Sequence, residues 1–204
     1  PWPDVEKRLL NIKLPAALEF ARANRLNKEV IRADRPRLGI VASGKSYRDV
    51  LQALSLAGLT LDEAAEIGIS IFKIGMPWPA DEDGLRAFAR GHETLLVVEE
   101  KRDLIEMQLR AALYADASQP RITGRRDLSG KPQFSQIGEL DGIDVLRAMA
   151  GLIDLPDGIT ARITNVLQSG VTPPPVLPLR TPYFCSGCPH NSSTKVPEGS
   201  RALA

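Results

Sequence analysis

Tryptophan, tyrosine and phenylalanine together make up only 5% of the 204 residues, and no basic run is interleaved with them. That leaves nothing from which to build a nucleic-acid surface. An excess of one charge is missing too. The 26 basic and 25 acidic groups leave a net charge of +1, too little to draw nucleic acid or an anionic membrane from a distance. No apolar stretch approaches the ~20 residues that span a bilayer. The opening Pro1-Trp2-Pro3-Asp4 lacks the basic-then-apolar pattern of a secretory signal. The only cysteines, Cys185 and Cys188, make no disulfide framework, which predicts a reducing, cytoplasmic setting. There is no initiator Met, and the chain stops at Arg201-Ala202-Leu203-Ala204 just after a motif. Both ends predict an internal segment of a longer protein.

What is present is ordinary for a globular chain, with 43% apolar and 25% charged residues. Residues 1–36 read as a polar arm around one helix, with Pro15 in its first turn and Ala16 to Arg25 carrying it. From Arg37 onward strand and helix patterns alternate. Leu38-Gly39-Ile40-Val41-Ala42 is a short apolar run that predicts a buried strand. Tyr47, Val50, Leu51 and Leu54 follow at helical spacing and Gly58 stops them. Thr60 predicts the N-cap of a short acidic helix. Ile69–Ile74 alternates as a strand, and Met76-Pro77-Trp78-Pro79 breaks it. Asp81–Arg90 predicts a helix ended by Gly91. Thr94–Glu99 carries the strongest buried-strand pattern, Asp103 an N-cap, and Arg121–Gly124 a weak further strand. Residues 127–142 are polar and predict a loop, followed by two helices near Ile143–Ile153 and Pro156–Gln168. Such alternation predicts a mainly parallel sheet with helices on both faces, the domain occupying 37–170. The proline-rich run 171–181 predicts a semi-rigid linker, and 182–204 the opening of a further domain.

Three constellations have the makings of chemistry. Gly39-Ile40-Val41-Ala42-Ser43-Gly44-Lys45-Ser46 matches G-x-x-x-x-G-K-S/T, the phosphate-cradling loop of nucleotide-binding proteins. Such a cradle needs a free loop of backbone N–H groups, whereas Ile40-Val41-Ala42 are strand residues. Gly44, Lys45 and Ser46 at a helix N-terminus keep a weaker anion-binding reading. Cys185 and Cys188 with His190 form a C-x-x-C-x-H turn. Zinc needs two further ligands, and thioredoxin-like redox work needs a preceding strand, so the pair reads as half a metal or cluster site, or as structural thiols. Glu99-Glu100-Lys101-Arg102 sits at a strand's carboxyl end, where open α/β sheets bind ligands and partners. The bland reading there is a solvated charge cluster. His92, beside Gly91, reads as a helix-end residue.

Several of these segments together resemble the indolepyruvate ferredoxin oxidoreductases. Gly39–Val50, Lys73-Ile74-Gly75-Met76-Pro77-Trp78-Pro79 and Val97–Arg102 with Ile105-Glu106 are similar to that family's middle domain. Pro182–Asn191 is similar to the entry of its diphosphate-binding domain, and Val196–Ala204 to the long fused form. The resemblance implies a three-layer α/β/α sandwich like the transketolase C-terminal domain, with a mostly parallel five-stranded sheet and one antiparallel strand. It implies a scaffold within an enzyme that oxidatively decarboxylates 2-oxoacids, typically arylpyruvates, with coenzyme A, and passes electrons to ferredoxin. The cofactors implied for the full-length protein are thiamine diphosphate, Mg²⁺ and iron–sulfur clusters, with none held by these residues alone. Cys185 and Cys188 would help ligate a cluster there, and His190 would face the cofactor. The implied partners are neighbouring domains and a second subunit, with no nucleic acid or membrane. A nucleotide-binding module through Gly39–Ser46 and a non-catalytic interaction domain remain as alternatives.

Overall fold

The computed structural model describes residues 2–116, 119–169 and 183–201. The chain divides into two compact units, Pro1–Ser169 and Gly170–Ala204. The proline-rich run 171–181 lies outside the described residues.

The first unit opens with a continuous helical run: α1 (Trp2–Arg8), a π turn (Leu9–Lys13) and α2 (Leu14–Ala23). Then come β1 (Lys28–Ile31), β2 (Leu38–Ser43), α3 (Gly44–Ala57), α4 (Leu61–Glu66) and β3 (Ile69–Ile74). α5 (Glu82–Ala89), β4 (Thr94–Val98), α6 (Leu104–Leu113), β5 (Arg121–Thr123), α7 (Gly142–Ala150) and α8 (Asp157–Gln168) complete it. Five strands form one sheet in the order β1-β3-β2-β4-β5, all parallel except β1, which runs antiparallel to β3. This is the α/β architecture, mostly parallel and five-stranded, that the alternating pattern and the resemblance led us to expect.

The local signals act through recognisable physics. Gly58 takes the left-handed conformation (φ 75°) and closes α3, with its N–H and that of Leu59 returning to the helix's last turn. Thr60 and Glu63 form a reciprocal capping box at the start of α4. Asp141 and Asp144 form another at α7.

Alternation along the strands sends side chains into two cores. On one face Leu38, Ile40, Ala42, Leu96 and Val98 meet Val50, Ala53 and Leu54 of α3, with Val145, Leu146 and Met149 of α7 and Ile163 of α8 behind them. On the other, Val41, Phe72, Leu95 and Val97 meet Leu85 and Phe88 of α5 and Ile105 and Leu109 of α6. Right-handed crossovers produce this division. The chain leaves β2 for β3 on one side through α3, then returns past β2 to β4 and β5 through α5 and α6.

One reading of the N-terminal region needs correction. Residues 1–36 were expected to hold one helix. They also hold α1 and the edge strand β1, whose Lys28-Glu29-Val30-Ile31 pairs with β3 across a register shift. Arg32 fixes the end of this strand, donating to the carbonyls of Phe88 and Arg90 at 2.9 and 2.6 Å.

Candidate functional site

The order of connections fixes where a site would lie. Because β2 is followed on one side by β3 and on the other by β4, the carboxyl ends of β2 and β4 border the topological switch point. In open α/β sheets that crevice is the usual ligand position. Two sequence candidates flank it: Gly44-Lys45-Ser46 after β2, and Glu99-Glu100-Lys101-Arg102 after β4.

The first does not form an open loop. Residues 39–42 are paired to β3 and β4 in register on both sides, so their backbone groups serve the sheet. Only Gly44 turns, at φ 51°, a conformation that suits a residue without Cβ, and α3 begins there. Ser46 is buried. The Lys45 ammonium donates to Asp49 Oδ2 at 3.1 Å, to Glu100 Oε1 at 3.0 Å and to the Leu140 carbonyl. Glu100 Oε1 also accepts the Leu140 N–H at 3.0 Å. Lysine, glutamate and the 140 backbone thus close a ring over the crevice. Hydrogen bonding to Glu100 raises the Lys45 pKa, and the same bond lowers that of Glu100.

The second cluster divides into separate tasks. Glu99 turns back onto α6, accepting the Ile105 and Glu106 amides at 2.8 and 2.9 Å. It caps the helix in place of Asp103, whose side chain makes no capping bond. A carboxylate at a helix N-terminus satisfies orphan donors and meets the positive end of the dipole. Burial nonetheless holds its pKa above the ordinary value. Lys101, at φ 62°, reaches the Gly138 carbonyl, and Arg102 is exposed. A residue that the sequence offered only within the family resemblance, and not as a site candidate, completes this edge. Glu106 is buried, takes Arg110 in two hydrogen bonds at 2.9 and 2.7 Å, and accepts the Arg125 amide at 3.0 Å. Its i,i+4 spacing to Arg110 was a visible signal. Its tie to the strand end after β5 was not.

His92 lies elsewhere, 6% exposed, its ring 4.8 Å from that of Phe88. Burial pushes its pKa down to about 4. A cleft of about 410 Å³ opens between the 127–133 loop and α7. Of its charged lining residues Asp127, Asp144 and Arg147, the last two pair with each other at 3.3 Å.

In the second unit Cys185 and Cys188 form a tight turn. The Cys188 amide donates to the Cys185 carbonyl at 3.0 Å, and Gly187 sits at φ 80°. A short helix, α9 (His190–Ser193), follows. Asn191 Nδ2 returns to the Cys185 carbonyl at 2.9 Å. Cys188 Sγ lies 3.2 Å from His190 Nδ1, and Phe184 stacks on the imidazole at 5.2 Å. The structure thus brings all three residues of this candidate onto one turn. Two thiols supply half of the donor set that a protein-held cluster needs. Among the described residues no group of three or more His, Cys, Asp or Glu could hold a metal ion. The turn therefore fits a cluster only as a two-ligand contribution, and no described residues fit a diphosphate–metal site.

A model of the indolepyruvate oxidoreductase domain matches residues 28–169. Two relatives are named indolepyruvate oxidoreductase subunit IorA. That of Methanothermobacter marburgensis is 28% identical over 188 residues, covering 92% of this chain and 27% of that protein. That of Methanothermobacter thermautotrophicus is 30% identical over 156 residues, covering 76% and 22%. The chain thus spans about a quarter of the length of these relatives. Among solved structures, a 2-oxoglutarate:ferredoxin oxidoreductase from Magnetococcus marinus aligns with 63% of this chain and 19% of that one. The identity is 17% and the TM-score 0.38. With the family domain running from β1 to the end of α8, this chain belongs to the indolepyruvate oxidoreductase domain family.

Proposed function

We propose that the chain is the scaffold domain of a thiamine-diphosphate-dependent enzyme that oxidises arylpyruvates such as indolepyruvate, with coenzyme A, to the acyl-CoA, delivering electrons to ferredoxin in the cytoplasm. The residues of its first unit, Pro1–Ser169, position neighbouring domains and a second subunit and do not touch the reacting atoms. The observation that carries this reading is the closed switch point. Lys45, Glu100 and the Leu140 backbone satisfy one another where an α/β domain would otherwise receive a ligand. The same observation weighs against a nucleotide-binding module, because the lysine that would meet a phosphate already holds two carboxylates.

Thiamine diphosphate, when bound elsewhere in the complete enzyme, supplies the carbanion chemistry that side chains lack. Cys185 and Cys188 would contribute two of the ligands of an iron–sulfur cluster, with His190 packed beside Cys188 on the same turn.

The test uses the complete protein, purified without oxygen. Thiamine-diphosphate-dependent reduction of an artificial acceptor is measured with indolepyruvate or phenylpyruvate plus coenzyme A, and iron is quantified in the same sample. The Cys185→Ala/Cys188→Ala variant is run alongside. Turnover that requires thiamine diphosphate, with iron lost in the variant, is the expected result. Turnover with iron unchanged removes the ligand role. No turnover with any 2-oxoacid overturns the proposal.

A further inference from the structure

Among the described residues two side chains hold nitrogens that are sealed from solvent and bond to nothing: His92 at both ring nitrogens, and Arg125 at Nε and Nη1. Their situations differ. Burial drives His92 to its neutral form, with its pKa down at about 4. A guanidinium does not escape burial by shedding its proton, and an uncompensated buried charge is strongly destabilising. An orphan of that kind in a native fold calls for a counter-group.

The chain fixes where Arg125 stands. Thr123 pairs with Leu96, so Arg125 lies two residues beyond the last β4–β5 pair, at the carboxyl edge of the sheet. Its amide donates to Glu106 Oε2 at 3.0 Å, and its carbonyl accepts the Gln133 and Phe134 amides at 2.8 and 3.4 Å. The backbone is therefore held from both sides. The carboxylates of this edge serve other donors. Glu106 Oε1 takes Arg110, and Glu99 takes the Ile105 and Glu106 amides. Glu100 takes Lys45 and the Leu140 amide, and Asp127 takes Ser129 and the Lys131 amide. None of them takes the Arg125 guanidinium.

The surroundings define the counter-group. Arg125 as a whole is only partly buried, so its side chain is reachable from outside. The hairpin 125–131 carries three basic residues against one acid, and Arg126 gives its guanidinium to the Gly130 carbonyl rather than to an acid. Charge therefore favours the approach of an acidic surface. A guanidinium edge matches the two oxygens of a carboxylate. The neighbouring cleft is lined by Asp127, Asp144 and Arg147 but not by Arg125, so it does not enclose a small anion against this group. A carboxylate carried on a protein surface needs no enclosure. About three quarters of the M. marburgensis relative lies outside its match to this chain.

We propose that Arg125 is a docking residue whose guanidinium pairs with an aspartate or glutamate side chain of a neighbouring domain of the complete enzyme. This inference rests on the reading of the chain as one domain of a larger oxidoreductase. Arg125→Met tests it in both the 204-residue chain and the protein made from the complete reading frame. Hydrogen–deuterium exchange of residues 121–134 is followed in each. Exchange should quicken in the complete protein by a factor on the order of ten or more. It should not quicken in the shorter chain, whose urea midpoint should hold or rise once the uncompensated charge is gone. Arg125→Lys keeps the charge but not the fork, and should exchange as fast as the Met variant in the complete protein. Quicker exchange in both proteins would make Arg125 a structural residue of this domain and overturn the proposal. Unchanged exchange in both overturns it as well, as does full protection by lysine. Protection in the shorter chain that grows with concentration would assign the carboxylate to a second copy, which also contradicts it. Oxidoreductase turnover in the complete protein without the Arg125 effect sinks the docking residue alone. The Arg125 effect without turnover sinks the enzymatic reading alone.

Discussion

The Lys45 ammonium meets the Glu100 carboxylate at 3.0 Å across the carboxyl ends of β2 and β4. The two residues stand 55 apart in the chain, and their contact fills the place where a fold of this connectivity usually receives its ligand. A catalytic lysine would need a free ammonium. This one is shared among Asp49, Glu100 and the Leu140 carbonyl, which makes the pair a clamp between two strand ends and the loop before α7.

Loss of that clamp should be measurable as stability. Lys45→Met is expected to destabilise the chain by about 1 kcal/mol, since the ammonium is half exposed and screened by solvent. Lys45→Met/Glu100→Gln should cost less than the sum of the single changes, by about 0.5 kcal/mol or more. Urea unfolding of the four proteins reads the coupling, and strict additivity would mean that the contact contributes nothing. Glu100 has a lowered folded pKa. Its share of stability is therefore present above the ordinary 4.5 and lost as pH falls through the folded value.

The cap of α6 distinguishes two carboxylates, Glu99 and Asp103, four residues apart in the chain. Glu99→Ala removes the acceptor of two amides and should cost about 1–2 kcal/mol. Asp103→Ala, which removes no capping bond, should change stability by only about 0.5 kcal/mol or less. Urea midpoints compare them, and an equal or reversed ranking would return the cap to Asp103.

Acid should unfold the chain partly through His92. Its folded pKa is depressed to about 4 from 6.5, so the unfolded state takes up a proton first. Stability is therefore complete above about 6.5 and falls as pH drops towards 4, by an amount on the order of 2–3 kcal/mol. In His92→Phe, which keeps a ring against Phe88, the slope of stability against pH over this window should flatten. Thermal melts at pH 7 and pH 5 check it. An unchanged slope in the variant would show that other groups carry the acid sensitivity.

How much of this was legible beforehand follows from the range of each interaction. β2, β3 and β4 are short apolar runs buried on both faces, and Gly58 and Thr60 act within a few residues of themselves, so sequence alone exposes them. β1 is an edge strand of four residues beginning Lys28-Glu29. It carries no alternating pattern, and its pairing depends on partners in β3 forty or more residues away, so the residues themselves concealed it. The antiparallel strand was expected only through the family resemblance. At the candidate site the turn after β2 and the charge cluster after β4 were visible as separate signals. That one supplies the counter-charge of the other is a tertiary fact. Glu99 and Asp103 compete for the same helix end, and residue preference favours the nearer one, whereas the chain path after β4 brings the farther one onto the amides.

The central claim, that this domain supports chemistry without taking part in it, is tested most directly by steady-state kinetics of the complete enzyme carrying Lys45→Met/Glu100→Gln. With thiamine diphosphate, coenzyme A and indolepyruvate, kcat and KM per folded enzyme should stay within about twofold of the unaltered protein, while its thermal stability falls. A loss of kcat by a factor of about 100 or more with folded content intact, the size expected of a lost general acid or base, would place the switch point in the active site and contradict the scaffold assignment.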